Sequence, residues 1–204
     1  MFTTRKIYLS MLLLTIVVGL VYSGFISFDR TTWILEIFPV LVGLPLLWFS
    51  RTSHPLTILL YTLLAIHAVI LIVGGTYSYA RVPLGFALQD WLHLSRNPYD
   101  KIGHFAQGFI PALIARELLL GGAYVQGHKM LAFICISIAL AISALYELIE
   151  WAAALILGQG ADEFLGTQGD VWDTQSDMAM ALLGACCALA LLSQWQDRQM
   201  NRLR

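Results

Sequence analysis

Charged side chains are scarce in this sequence, and long hydrophilic stretches are missing. Only 12% of the 204 residues are Asp, Glu, Lys or Arg, whereas 58% are hydrophobic. A soluble globular domain carries about 25% charged residues. Because no segment is polar enough for a separate soluble domain, we expect one polytopic membrane domain over residues 1–204.

Other absences narrow the functional classes. The net charge of −1 offers no basic surface, so no nucleic acid partner is expected. Cys135, Cys186 and Cys187 lack metal-binding spacing and are interpreted as buried apolar thiols. No phosphate-binding loop, dinucleotide fingerprint or haem motif is present. Internal repeats are also missing, which disfavours a carrier because many carriers are built from repeats.

The apolar residues form six runs that are long enough to cross a bilayer, which takes about 20 residues per helix. The sequence therefore predicts an all-α integral membrane protein, a bundle of six transmembrane helices. Cytoplasmic loops are rich in Lys and Arg, and most of these residues lie inside if both termini are cytoplasmic. The predicted spans are 7–27, 32–50, 56–79, 101–121, 129–157 and 175–195.

Polar residues converge at the predicted outer side from three segments, namely the start of the fourth span, the end of the fifth and the start of the sixth. Within a segment they lie mostly three or four positions apart, so that they share a helix face. Charged groups at membrane depth are costly and usually face a bundle interior or a wet cavity. The candidate catalytic residues are His104, Glu147, Glu150, Asp173 and Asp177, and the candidate binding residues are Asp100, Lys101, Gln107 and Asp170.

One histidine among several carboxylates is a ligand set for a divalent cation such as Mg²⁺, Mn²⁺, Ca²⁺ or, with fewer ligands, Zn²⁺. Without a metal, crowded carboxylates cannot all ionise, which suits acid–base catalysis with His104 or proton binding by a carrier. The candidate metal ligands are His104, Glu147, Glu150, Asp173 and Asp177.

These residues predict a protein embedded in the lipid bilayer, whose outward-facing polar site either binds a ligand or serves a metal-assisted or acid–base enzyme. Its ligand would be a lipid-linked or periplasmic small molecule, because an outward-facing polar site near the outer leaflet meets both lipid headgroups and water. Two alternatives stay open: a proton- or cation-coupled transporter, and a non-catalytic accessory protein whose charges hold the helices together. The sequence does not fix the oligomeric state.

Several polar positions have structural interpretations. For Asp170 and Asp173 the alternative interpretation is an N-cap of the last helix with acids in its first turn, where the helix dipole favours them. Arg116 and Glu117 lie near the inner end of the fourth span, where snorkelling explains them. His67, alone in an apolar span, is interpreted as a packing or hydrogen-bonding residue.

Three further features concern the outer half of the bundle. The amphipathic segment 80–100 predicts a short helix on the membrane surface. Pro111 removes the donor that would bond the carbonyl of Gln107, which predicts a kink in the fourth span. Glu36 is a carboxylate early in the second span, and its depth is left open by the sequence.

The stretches "NPYDKIGHFAQGF", "SALYELIEW" and "GTQGDVWDTQSDMAMALLGA" resemble those of the uncharacterised YjdF-like bacterial inner-membrane proteins. The resemblance covers all six spans and implies a multi-pass protein of the inner membrane, with no established activity.

The chain is also similar to VanZ-like proteins, which are associated with low-level glycopeptide (teicoplanin) resistance. Those proteins have an Asp-Lys pair and then a His at the start of a span, an acid in the next span and an Asp at the start of the last. Glu150 and Asp177 depart from the amides expected there and make this site more anionic, which leaves its ligand open. The matching positions are Asp100, Lys101, His104, Glu147 and Asp173.

Overall fold

All regular elements in the described part of the chain are helices. The computed structural model describes residues 2–157 and 167–203. Its helices are α1 (Phe2–Ile26), α2 (Arg30–Ser50), α3 (Ile58–Thr76), α4 (Pro83–Leu92), α5 (Tyr99–Gly121), α6 (His128–Leu157) and α7 (Asp173–Met200).

Five of these helices, α1, α2, α3, α6 and α7, are long and apolar enough to cross a membrane. Helix α5 corresponds to the predicted fourth span and has a spanning length of 23 residues. It is less apolar than the others, because Asp100 and Lys101 lie at its start and Arg116 and Glu117 near its end. The prediction of an all-helical membrane protein is confirmed, and the sixth span stays a prediction.

Helix α5 lies at the centre of the bundle. It packs against α3, α6 and α7, and its interface with α7 is the most extensive one in the described structure. A Cβ atom on Gly108 would overlap the carbonyl oxygen of Ala181, and one on Gly184 would overlap the carbonyl oxygen of Phe105. Small residues therefore let the two backbones touch. The adjoining core between α5, α6 and α7 consists of Ala112, Ala139 and Ala185.

The bundle has two ends, which we call the site end and the far end. At the site end, helices α1, α3 and α6 finish and helices α2, α5 and α7 begin, and the far end is the opposite one. Helix α5 continues through Pro111 without interruption. The short helix predicted within 80–100 is confirmed as α4, on which Phe86 and Trp91 are exposed and Gly85 is buried.

Two local expectations are wrong. Helix α3 ends at Thr76 rather than at residue 79, because Ser78 and Tyr79 adopt positive φ in a turn. Cys186 is exposed and Cys187 is half-buried, while Cys135 is buried as expected. The expectation is wrong for Cys186 and Cys187 because lipid and the bundle interior are both apolar. Hydropathy alone therefore does not distinguish a thiol that faces lipid from one that is buried.

Candidate functional site

His104 is the centre of the polar cluster at the site end, and it is buried. Its Nε2 atom lies 3.4 Å from Asp100 Oδ1 and 3.8 Å from Asp177 Oδ1. Its Nδ1 atom lies 2.9 Å from Gln107 Oε1 and 3.7 Å from Glu147 Oε1. Asp100 and Gln107 stand four positions before and three after the histidine, so helix geometry places both beside the imidazole.

The hydrogen bond between His104 Nδ1 and Gln107 determines the protonation of the other ring nitrogen, Nε2, and therefore what Nε2 can bind. An amide oxygen only accepts, so the Nδ1 atom of His104 carries a proton in this arrangement. A bare Nε2 lone pair would then face two carboxylates, a repulsive geometry unless a proton or a cation lies between them. One ligand atom each of Asp100, His104 and Asp177 lies within 4.8 Å of the other two. This triad can therefore hold a proton or a metal ion.

Lys101 links the triad to α7. Its Nζ atom lies 2.6 Å from Asp177 Oδ1, 2.7 Å from Asp173 Oδ1 and 2.6 Å from Ser176 Oγ. Asp177 is 2% exposed, so its carboxylate is shared between Lys101 and His104 without access to bulk water. The lysine therefore fixes the Asp177 carboxylate that completes the triad.

Arg96, in the loop before α5, holds Asp173 from the other side. Its Nη2 atom lies 2.5 Å from Asp173 Oδ1 and 3.2 Å from Asp170 Oδ2. Burial opposes the charge of Arg96, but the hydrogen bond and charge of Asp173 outweigh it and raise the pKa of the guanidinium above its usual value. Asp173 is thus neutralised by Arg96 and Lys101 together. The sequence did not single out Arg96, and its only signal was a basic residue shortly before a span.

Neither Asp170 nor Asp173 is the N-cap residue of helix α7, although Asp173 does lie in its first turn. Helix α7 takes Trp172 as its N-cap residue, with no side-chain cap hydrogen bond. Asp173 is the first residue of the helix and directs its carboxylate to the two cations. Asp170 accepts a hydrogen bond from the Trp172 backbone at 2.9 Å, ahead of the helix. Ion pairing outcompetes capping because the cations of α5 and its preceding loop lie within reach.

A cavity of about 170 Å³ lies beside His104, between α2, α3, α5 and α6. It extends along α5 from Asp100 to Pro111, which is roughly 16 Å at a helical rise of 1.5 Å per residue. No Lys or Arg is among the described residues that line it. Its polar lining consists of Glu36, His67, Tyr79, Asp100, His104, Gln107, Tyr146 and Glu150.

Glu36 and His67 belong to this cavity, which the sequence did not establish. Glu36 is buried, and its Oε2 atom accepts a hydrogen bond from Tyr146 at 3.2 Å. The Nε2 atom of His67 is buried and has no hydrogen-bond partner in the part of the chain that the structure describes. The signal for both residues was a lone ionisable group within an apolar span.

The two predicted glutamates of α6 serve different parts of the site. Glu147 is buried beside His104, and its Oε1 atom has no hydrogen-bond partner among residues 2–157 and 167–203. Glu150, one turn further on, is half-buried and lines the cavity. The acidic residues between 158 and 166, which the sequence places beside this region, lie outside the described residues.

Tyr79 closes the cavity from the turn after α3. Its ring packs against Gly74 and Gly103, where a Cβ atom would meet the tyrosine. Burial first, and then the charge of Glu36, raise the pKa of Tyr79 well above its usual value. The phenol therefore stays protonated and donates a hydrogen bond to Glu36. The sequence missed this residue because it counted Tyr79 within the third span.

A second polar cluster, which we call the far-end clasp, joins α5 to α3 and α7. Glu117 accepts from the Thr57 backbone at 2.7 Å, from the Thr57 hydroxyl at 2.8 Å and from Gln196 at 3.1 Å. Arg116 donates to Gln196 at 3.0 Å and pairs with Asp197 at 2.8 Å. Both charged residues are buried, so the snorkelling prediction is wrong. Partners on the neighbouring helices satisfy these charges inside the bundle.

The chain matches the family model described as "Predicted membrane protein (DUF2238)" over residues 8–198. It is 56% identical over 200 residues to the Inner membrane protein YjdF of Escherichia coli (strain K12), covering 98% of this chain and 96% of that protein. No solved structure matches it. These comparisons do not show the resemblance to VanZ-like proteins. The chain therefore belongs to the DUF2238 family of membrane proteins and is a multi-pass protein of the bacterial inner membrane.

Proposed function

We propose that the protein is a membrane-embedded hydrolase whose Asp100, His104 and Asp177 hold a divalent cation. The supporting observation is the environment of His104 Nε2, which faces two carboxylate oxygens at 3.4 and 3.8 Å while Nδ1 is engaged by Gln107. A carboxylate–imidazole set of this kind suits a borderline or hard divalent ion. The amide of Gln107 would fix the imidazole tautomer, as outer partners of metal ligands commonly do.

The surrounding residues take roles that follow from their contacts. A bound cation would polarise the scissile bond and acidify a water molecule. Glu147 is the general base that we propose, because its Oε1 atom is buried near His104 without a hydrogen-bond partner in the described structure. Lys101, Arg96 and Asp173 position Asp177 and balance its charge.

We further propose that α5 is the sixth span and that both termini are cytoplasmic. Helices α1, α2, α3, α5, α6 and α7 then cross in alternating directions, and the site end faces outward. Helix α5 has a spanning length and is surrounded by α3, α6 and α7, which shield its charges from lipid. Substrates at that depth are lipid-linked or other envelope molecules.

Metal analysis of the detergent-purified protein tests the cation site. Wild type and Asp90→Asn, a control that changes an exposed acid on α4, are expected to carry one divalent ion per chain. His104→Asn and Asp177→Asn are expected to lose it while still eluting as folded, monodisperse protein. An ion that stays in both variants, or a wild type that binds none after incubation with Mg²⁺, Mn²⁺ or Zn²⁺, would contradict the proposal.

A proton- or cation-coupled carrier is the second candidate. The observation that favours it is the depth of the cavity, which extends inward to Pro111 and past His67 near the middle of α3. A single cysteine at position 150, which is half-buried and lines the cavity, separates the two candidates. The enzyme proposal expects an impermeant thiol reagent to reach it from the outer side alone, whereas a carrier with alternating access would expose it to both sides in turn.

The accessory-protein candidate is supported by the ion pairs that join α5 and its preceding loop to α7. In that case Asp177→Asn would lower the amount of protein in the membrane, and purified wild type would bind no ion. Quantifying membrane-inserted protein beside the metal content therefore distinguishes a scaffold from a metal site.

A further inference from the structure

We infer that the cavity beside His104 binds a small ammonium group, so that the ligand is an amine-bearing molecule such as an amine-bearing lipid headgroup. The inference deepens the proposed function, on which it rests for the role of the ligand as substrate. It concerns Glu36, Glu150, His67 and the two tyrosines, none of which belongs to the proposed metal triad.

The acidic lining of the cavity favours a cationic ligand, which would stabilise the ionised form of its carboxyl groups. These groups belong to Glu36, Asp100 and Glu150, and the described lining includes no Lys or Arg. The cations nearest to the triad, Lys101 and Arg96, are engaged by aspartates of α7 and its preceding loop. Asp100 is shared with the triad, which leaves two glutamates without a cationic partner among the described residues.

The size of the cavity limits the ligand to a small group. Its volume is about 170 Å³, close to the roughly 150 Å³ of an engineered cavity that admits benzene. An ammonium group with two to five carbon atoms fits this volume, and a disaccharide does not. The acyl chains of a lipid ligand would have to remain outside the cavity, in the bilayer.

The walls supply the contacts that an ammonium group requires. Tyr79 and Tyr146 both line the cavity, and tyrosine faces attract ammonium ions. Glu36 is 5% exposed, and its carboxyl group accepts hydrogen bonds from the two tyrosines but contacts no lysine or arginine among the described residues. The buried Nε2 atom of His67 lacks a hydrogen-bond partner in the described structure and lies in the same wall. Buried polar atoms are rarely left unpaired, so this nitrogen is a second point that an N–H donor would satisfy.

The test compares the binding of ethanolamine with that of glycerol, a neutral polyol of similar size, to detergent-purified full-length protein by calorimetry. Wild type is expected to bind ethanolamine and to ignore glycerol. Glu36→Gln keeps an oxygen for Tyr146 but removes the charge, and it is expected to weaken ethanolamine binding at least tenfold with the metal content unchanged. Asp90→Asn is the matched control and is expected to bind as wild type does.

The outcomes of this test separate the two proposals. Equal binding of ethanolamine and glycerol, or full binding by a folded Glu36→Gln protein, would overturn the ammonium site while leaving the metal site intact. An ethanolamine-binding wild type without a metal ion would overturn the metal site alone. Should Glu36→Gln fail to fold, Glu150→Gln takes its place with the same expectation.

Nanodiscs distinguish the source of the amine. In discs that contain phosphatidylethanolamine, the lipid headgroup should occupy the cavity and the protein should not bind added ethanolamine. In phosphatidylglycerol discs the protein should bind it. That result assigns a lipid headgroup to the cavity. Equal ethanolamine binding in both discs supports the ammonium site and assigns it a soluble amine instead.

Discussion

Two buried glutamates, one at each end of the bundle, differ in how their charge is satisfied. Glu117 receives three hydrogen bonds from Thr57 and Gln196 within the far-end clasp. Glu147 is equally buried and its carboxylate has a side-chain hydrogen bond with Thr174, yet its Oε1 atom has no hydrogen-bond partner in the described residues. A satisfied buried carboxylate stabilises the fold, and an unsatisfied one costs free energy that a ligand can recover. The contrast is consistent with a structural role for the far end and with the proposed function at the site end.

Glu117→Gln is expected to destabilise the protein by about 1–3 kcal/mol, because the new amide N–H₂ would face donors instead of acting as an acceptor. Thermal unfolding in detergent measures this as a lowered Tm. Asp90→Asn, at an exposed position, should leave the Tm unchanged. A Glu117→Gln protein as stable as wild type would mean that the clasp does not hold the helices.

Glu147→Gln is expected to raise the Tm of the metal-free protein, because it removes a buried charge that lacks a hydrogen bond at Oε1. The same variant should abolish hydrolysis while retaining the bound ion, since Glu147 is proposed as the base rather than as a ligand. A fall in Tm as large as that of Glu117→Gln would show that the hydrogen bond between Thr174 and Glu147 stabilises the fold and that the free Oε1 atom costs little.

The close contact between α5 and α7 is the feature that brings the site residues of these helices together. Gly108 and Gly184 allow the backbones to touch, which carries Lys101 and His104 to Asp177. Because a Cβ atom would overlap backbone rather than a flexible side chain, neither helix can relax locally. The site therefore depends on residues that make no polar contact with it.

Gly108→Ala is expected to cost about 1–3 kcal/mol or more through overpacking against the Ala181 carbonyl. Gly121→Ala lies on the same helix in open space and should be neutral. Unfolding midpoints of the two variants provide the comparison. If Gly108→Ala unfolds at the wild-type midpoint, the two helices are not in backbone contact.

Hydropathy and helical spacing predicted much of this architecture. Long apolar runs become helices in a bilayer because backbone groups must be satisfied internally, and spacings of three and four place residues on one face. The sequence did not reveal that Glu36 and His67 share a cavity, because each is a lone polar residue whose neighbours come from other helices. The same holds for Arg116 and Glu117, whose partners in the far-end clasp lie about 60 to 80 positions away along the chain.

At the scale of the whole molecule, polar networks at both ends of α5 hold it within the bundle. The site end binds it to α7 through Lys101, and the far-end clasp binds it to α3 and α7. The apolar faces of α1 and α2 remain exposed, as expected of helices that contact lipid. A charged central helix surrounded by apolar ones is the arrangement by which a bilayer tolerates ionisable groups.

Single cysteines test whether α5 crosses the membrane. In a background without the three native cysteines, Trp91→Cys on α4 should react with an impermeant thiol reagent added outside intact spheroplasts. Tyr124→Cys, beyond the end of α5, should react only in inside-out vesicles. Both side chains are well exposed, at 75% and 77%, and lie outside the proposed spans, so the bundle itself does not shield them from the reagent. Labelling of both from one side would contradict six spans.

The attachment of α5 at its two ends has a consequence for the integrity of the polypeptide. In the described structure, the side-chain hydrogen bonds and ion pairs of the site and the clasp involve none of residues 122–127, the connection between α5 and α6. The parts of the chain before and after this connection are held together by the contact of α5 with α7 at Gly108 and Gly184 and by the polar networks. These interactions act between helices and do not require a continuous chain. A protein divided within this connection and produced as two fragments is therefore expected to reassemble in the membrane, with the cavity formed jointly by both pieces.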